Sequence, residues 1–95
     1  MYAIFTEVNV PPDAPVTAAA DGLRANAVPG VRAAGAADAY WLAPHNGRAV
    51  GVVLFGNETA ARATAEGLRV GGRPRSAPPG VTFCSVEVLE VIAHL

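Results

Sequence analysis

The stretch Arg48 to Phe55 constrains this chain more than any other. Read as a strand, it places Val50, Val52 and Leu54 on one face and Ala49, Gly51, Val53 and Phe55 on the other, so both faces are apolar. A sheet wetted on one side alternates apolar and polar residues, and an interior strand without that alternation belongs to a sheet covered on both sides. The fold must therefore supply two covers, and the remaining residues decide what they are.

Around that strand the chain reads as β-α-β-β-α-β. Met1 to Val10 is rich in β-formers and stops at Pro11-Pro12. Asp13 is a candidate N-cap for a helix to about Ala27, with Val16, Ala19, Ala20, Leu23 and Ala27 at helical spacing, and Pro29-Gly30 is expected to end it. A second strand from near Val31 to Leu42 is Ala-rich and Gly-interrupted, which suits an edge. Asn46-Gly47 between apolar segments predicts a two-residue type I′ hairpin. Asn57 and Glu58 open a helix to about Arg69 whose buried stripe is Ala61, Ala65 and Leu68, and Val81 to about His94 reads as the last strand. Two right-handed crossovers then give an α+β protein: a ferredoxin-like four-stranded antiparallel sheet with both helices on one face, as a single domain over residues 1–95.

The helices cover one face. The other, at about 4.8 Å per strand and about 27 Å of length, presents roughly 500 Å² of largely apolar surface, near the most a monomer leaves exposed. No further element remains to cover it, so the expected cover is a second copy, sheet against sheet, in a homodimeric α/β barrel. At about 25 cal/mol per Å² this burial contributes on the order of 12 kcal/mol per protomer before the costs of association.

Composition excludes other classes. Hydrophobic residues make up 52% and charged residues 16% of the 95, which excludes disorder, and no apolar run approaches a membrane span. A net charge of -1 leaves no footprint for nucleic acid. The lone Cys84 cannot form an internal disulfide, and His45 and His94 have no ligand partner at metal-binding spacing, so no metal and no cofactor are expected. The N-terminus has no secretory pattern, which makes the cytoplasm the expected location. Arg69, Arg73 and Arg75 gather in a Gly/Pro loop over residues 70–80, either as an anion-binding fork or as solvated charges.

Three stretches carry a resemblance: Pro29-Gly30-Val31, Val53 to Ala61 (VLFGNETAA), and Val86 to Ile92 (VEVLEVI). With them the chain resembles the small dimeric α/β-barrel proteins that include the antibiotic-biosynthesis monooxygenases. The resemblance implies a cofactor-independent, monooxygenase-like enzyme acting on a hydrophobic aromatic or polyketide-like molecule. The alternative is a non-catalytic ligand-binding or dimerisation module, since this architecture hosts many functions. Aligned on these stretches, Thr6 and Phe55 fall where haem-degrading members carry Asn and Trp, and the second helix has no His, which disfavours haem degradation.

The resemblance also places Phe55 on the inner, dimer-facing side of the sheet. An unbroken two-residue hairpin pairs Tyr40 with Val53 and Trp41 with Val52, so Tyr40 and Val53 join Phe55 while Trp41 packs under the helices. On the last strand Cys84, Val86 and Val88 are expected beneath the helices, with Phe83, Ser85 and Glu87 on the inner face. Tyr40 is then a candidate hydrogen-bond donor or an aromatic packed at the rim. Glu87 is a candidate proton-transfer group, raised in pKa by a dry cavity, or the partner of an Arg across the dimer. Thr6, Val53, Phe55, Phe83 and Ser85 are the expected ligand contacts.

Overall fold

The computed structural model describes residues 1–74 and 77–95. It is a small α+β fold, compatible with a ferredoxin-like arrangement. Strands β1 (Tyr2–Asn9), β2 (Asp38–Trp41), β3 (Arg48–Phe55) and β4 (Thr82–Glu90) form one sheet in the order β2-β3-β1-β4, with antiparallel neighbours throughout. Short β2 lies at an edge. No helix among the described residues is long and apolar enough to cross a membrane.

The first helical run passes through the expected stop at Pro29-Gly30. Helix α1 (Val16–Gly22) leads without a break into a π-helical turn (Leu23–Ala27) and then α2 (Val28–Ala33), which holds Pro29 in its first turn. The Val28 N–H donates to the Leu23 carbonyl, so the helix widens just before the proline that lacks an N–H and would crowd a regular turn. The stop falls at Gly35 instead. Its φ of 92° lets the Ala36 N–H reach the Val31 carbonyl and the Gly35 N–H reach Arg32, a Schellman motif. Residues 31–33, expected as strand, are therefore helix. Helix α3 (Glu58–Ala65) starts as expected, with the Asn57 side chain accepting from the Ala60 N–H at 2.8 Å and Arg62 bound to Glu58.

The core sits between α3 and the sheet. Phe55 and Ile4 are 0% exposed and pack with Val53 and Ala61, flanked by Trp41, Val86, Val88, Leu68 and Val31. Because opposed residues share a face, the pairs Ile4 with Val53, Tyr2 with Phe55 and Thr6 with Gly51 assign Phe55, Val53 and Thr6 to the helix-covered side. This corrects the expectation that these three residues face the dimer side. Strand alternation sorts residues into two sets but does not say which set the helices cover.

Two irregularities reset the register. The Asn46-Gly47 turn forms as expected, with φ of 53° and 76° and both hydrogen bonds between His45 and Arg48. Yet Trp41 pairs with Gly51 and Tyr40 with Val52, one residue from the unbroken hairpin. The extra residue lies on the β2 side around Ala43-Pro44, where proline has no N–H to give the ladder. On β4, a bulge at Cys84 lets Phe83 pair with Val8 and Ser85 with Glu7. Phe83, expected on the inner face, thus lies on the helix side with Val8. The Cys84 thiol, expected under the helices, donates to the Glu7 carbonyl at 3.3 Å.

Gly51 makes room for Trp41. A Cβ there would lie 2.8 Å from Trp41 Cδ1 and 2.9 Å from Thr6 Oγ1, and the Thr6 hydroxyl already donates to the Gly51 carbonyl at 3.3 Å. Gly51→Ala is expected to destabilise the fold by about 1–3 kcal/mol through overpacking. Thermal melts should record about 4–8 °C of lost Tm per kcal/mol in a domain of this size.

Candidate functional site

Three features gather chemistry-bearing residues: the bare sheet face and two clefts at the edges of the helix-covered face.

The bare face carries rows that run across all four strands. One row is Tyr40, Val52, Phe5 and Glu87, and the next is Asp38, Leu54, Ala3 and Leu89. Val50, Glu7 and Ser85 follow, and Arg48 closes the end beside Asn9. Tyr40 at one edge is 56% exposed and Leu89 at the other 47%, with half-buried Phe5, Val52 and Leu54 between them. The surface is an apolar centre with polar groups at its margins.

Tyr40 and Glu87 occupy opposite ends of one row, three strand spacings or about 14 Å apart, so they do not meet within one chain. Tyr40 reaches this face although its pairing partner is Val52 rather than Val53. The register slip and the exchanged faces offset one another. Its hydroxyl donates to Asp38 Oδ2 at 2.9 Å, while Asp38 Oδ1 accepts from the Ala39 N–H. That hydrogen bond to a carboxylate holds the Tyr40 phenol above its ordinary pKa. Glu87 is exposed, and Ser85 is half-buried opposite Glu7. Glu7 itself accepts from Arg48 at 2.8 Å and lies 3.5 Å from the Cys84 sulfur. Burial, then the hydrogen bond to Glu7, push the Cys84 thiol up, which leaves it protonated and unreactive at neutral pH. Sequence reading did not place Cys84 beside Glu7 and Arg48, because no residue in the chain marks the bulge that turns it there.

The other tyrosine is raised as well. The Glu58 and Glu90 carboxylates near Tyr2 push its phenol up, with Arg62 opposing them. A raised tyrosine pKa adds stability that is complete below the ordinary value and fades as pH climbs through the raised one. With only two tyrosines in the chain, spectrophotometric titration near 295 nm is expected to show no phenol ionising at the unperturbed value of 10.0. Tyr40→Phe removes one of the two late transitions.

The larger cleft, about 350 Å³, opens between α3 and β4. Its lining is Ala65, Leu68, Val70, Val86 and Val88, with Arg62 and Glu66 at the rim. The smaller, about 210 Å³, lies between α2 and β2 against Val28, Val31, Ala39 and Trp41. Both belong to the helix-covered side. Of the expected ligand contacts, Thr6, Val53 and Phe55 are buried in that layer, and neither cleft is lined by them. Among the described residues no three His, Cys, Asp or Glu side chains converge on a metal position. Arg69 and Arg73 are exposed, and Arg75 lies outside the described residues.

No family model, curated protein or solved structure matches the chain.

Proposed function

We propose that this protein is a homodimer whose ferredoxin-like protomers join sheet to sheet as a dimeric α/β barrel, and that each protomer binds a small hydrophobic molecule in the cleft between α3 and β4. The observation that carries the assembly is the bare face. The isolated chain exposes 6181 Å², whereas a folded monomer of 9.7 kDa exposes about 5,100 Å². The chain thus exposes about 1,000 Å² more than a compact monomer of its mass, and the bare face is one contributor beside the C-terminal residues and the first helical run. The apolar centre and polar margin of this face follow the usual interface pattern. A free thiol fits a reducing compartment, and the cytoplasm is the proposed location.

The ligand reading rests on the aliphatic lining of a shallow, open cleft whose volume lies at the lower end of the range of small-molecule sites. Binding without turnover is the favoured form, because Tyr40 and Glu87 lie on the opposite side of the sheet from the cleft. A second reading, cofactor-independent oxidation of an acidic phenol, is favoured by one observation. The Tyr40 hydroxyl, held on Asp38, stands on the face the dimer would enclose.

Sedimentation equilibrium between about 1 and 100 μM is expected to give twice the chain mass, and monomer throughout that range would overturn the assembly. Aerobic titration with anthrone-like phenols is expected to show no oxygen uptake. Uptake that falls in Tyr40→Phe would establish the oxidative reading in place of the binding one.

A further inference from the structure

We propose that residues 91–95 form an arm that crosses to a second copy of this chain and packs against the margin of its bare sheet face. This rests on the reading of that face as the surface shared between copies and adds the segment that completes it.

The ladder between β1 and β4 closes with the Val91 N–H donating to the Met1 carbonyl at 2.9 Å. Alternation carried from Leu89 through this pair puts Met1 and Val91 on the bare face, one row past Asp38, Leu54, Ala3 and Leu89. The apolar surface therefore runs off the end of the sheet into the arm. Beyond Val91, no backbone hydrogen bond among the described residues ties the arm to its own protomer. Ile92 is 92% exposed, in a run of five whose one polar residue is His94. Lone exposed aliphatic side chains are ordinary, but a run of them continuous with an apolar face marks a contact surface.

Area and reach name a second copy as the receiver. The bare face offers roughly 500 Å², short of the roughly 800 Å² that each partner brings to a standard interface. Ile92 and Leu95, at roughly 100 Å² of apolar surface apiece, supply most of the difference. Stacked sheets lie about 10 Å apart and five residues at about 3.3 Å each span about 16 Å, so the arm can bridge the gap. A return to the protomer's own bare face would need a reversal directly after β4. Residues 90–95 hold no Gly, Pro, Asn or Asp to make one, and branched Val91 and Ile92 favour extended backbone. A two-fold dimer places both arms, so each contact counts twice.

Sedimentation equilibrium compares the full chain with Ile92→Ser and with a chain ended at Glu90. Taking one large aliphatic side chain out of a buried contact weakens association about tenfold. With two arms, Ile92→Ser is expected to raise the dissociation constant about 100-fold and the shortened chain to raise it further, both with unchanged far-UV circular dichroism. To place the arm, a spin label on His94→Cys in a Cys84→Ala background is mixed with isotope-labelled wild-type chain. Broadening of β1 and β3 amides in the wild-type chain, which has no spin label of its own, is the expected result. If the shortened and full chains dimerise equally, the arm is wrong and the sheet-to-sheet dimer stands. Weaker association without broadening between chains would place the arm on its own protomer and overturn the inference. If the full chain is monomeric from about 1 to 100 μM, the shared face and the arm fall together.

Discussion

Replacing Phe55 with alanine is expected to cost about 3–5 kcal/mol of folding stability, because its ring is fully buried against Ile4, Val53 and Ala61 and its removal leaves a cavity among them. Few of the described side chains are fully buried, and small domains hold only about 5–15 kcal/mol in reserve, so the loss is a large share of the total. Urea denaturation should show the midpoint falling by roughly 2 M with an unchanged slope. The loss should appear at every protein concentration, because the side chain lies within one protomer. A Phe55 variant that folded normally but associated more weakly would instead place the ring on the dimer side and reverse the assignment of faces.

The complementary substitution is Val52→Glu at the centre of the bare face. Val52 is flanked by Phe5 and Tyr40 in the row that also carries Glu87. An added carboxylate there would be desolvated by a second copy and set near Glu7, Glu87 and their equivalents. Like charges brought together at an interface cost several kcal/mol. The dissociation constant of the proposed dimer is therefore expected to rise at least 100-fold, giving monomer at about 10 μM by sedimentation, while far-UV circular dichroism keeps the αβ spectrum. Val52→Thr, which retains the branched β-carbon that suits a strand, should stay dimeric in the same experiment. A Val52→Glu protein that remained dimeric would show that this face is not the one shared between copies.

The type I′ turn at Asn46-Gly47, the Asn57 cap with Glu58 in the first turn of α3, and the edge position of β2 were all legible. Each depends on residues adjacent in sequence, whose backbone preferences act locally. The first helix misled because Pro29-Gly30 is a stop signal only for a regular helix. The π turn ahead of it moved the termination to Gly35, whose left-handed φ also suits a helix end. Trp41 lies beneath the helices as expected, but only because the register slip and the exchanged faces offset one another; its true partner, Gly51, whose missing side chain seats the indole, was not read from the sequence.

The candidate site was less legible. Thr6, Val53 and Phe55 went to the wrong side together, since one error of side carries every residue of the same parity with it. Phe83 moved for a different reason, the unpaired residue at Cys84. Tyr40 and Glu87 stand on the bare face as expected, yet at opposite edges, a separation set by strand order rather than by their positions in the chain. The cleft between α3 and β4 could have been suspected from Leu68, Val86 and Val88, which are apolar and share a face.

The residues alone therefore determined the turn at Asn46-Gly47, the α3 cap at Asn57 and the place of most strands and helices, because turn chemistry, capping and side-chain alternation act over a few neighbouring positions. Only the tertiary structure decided which face the helices took, where the register slipped at Pro44 and Cys84, and which charges ring the cleft. Those outcomes depend on packing between residues dozens of positions apart, and a strand apolar on both sides does not distinguish one side from the other.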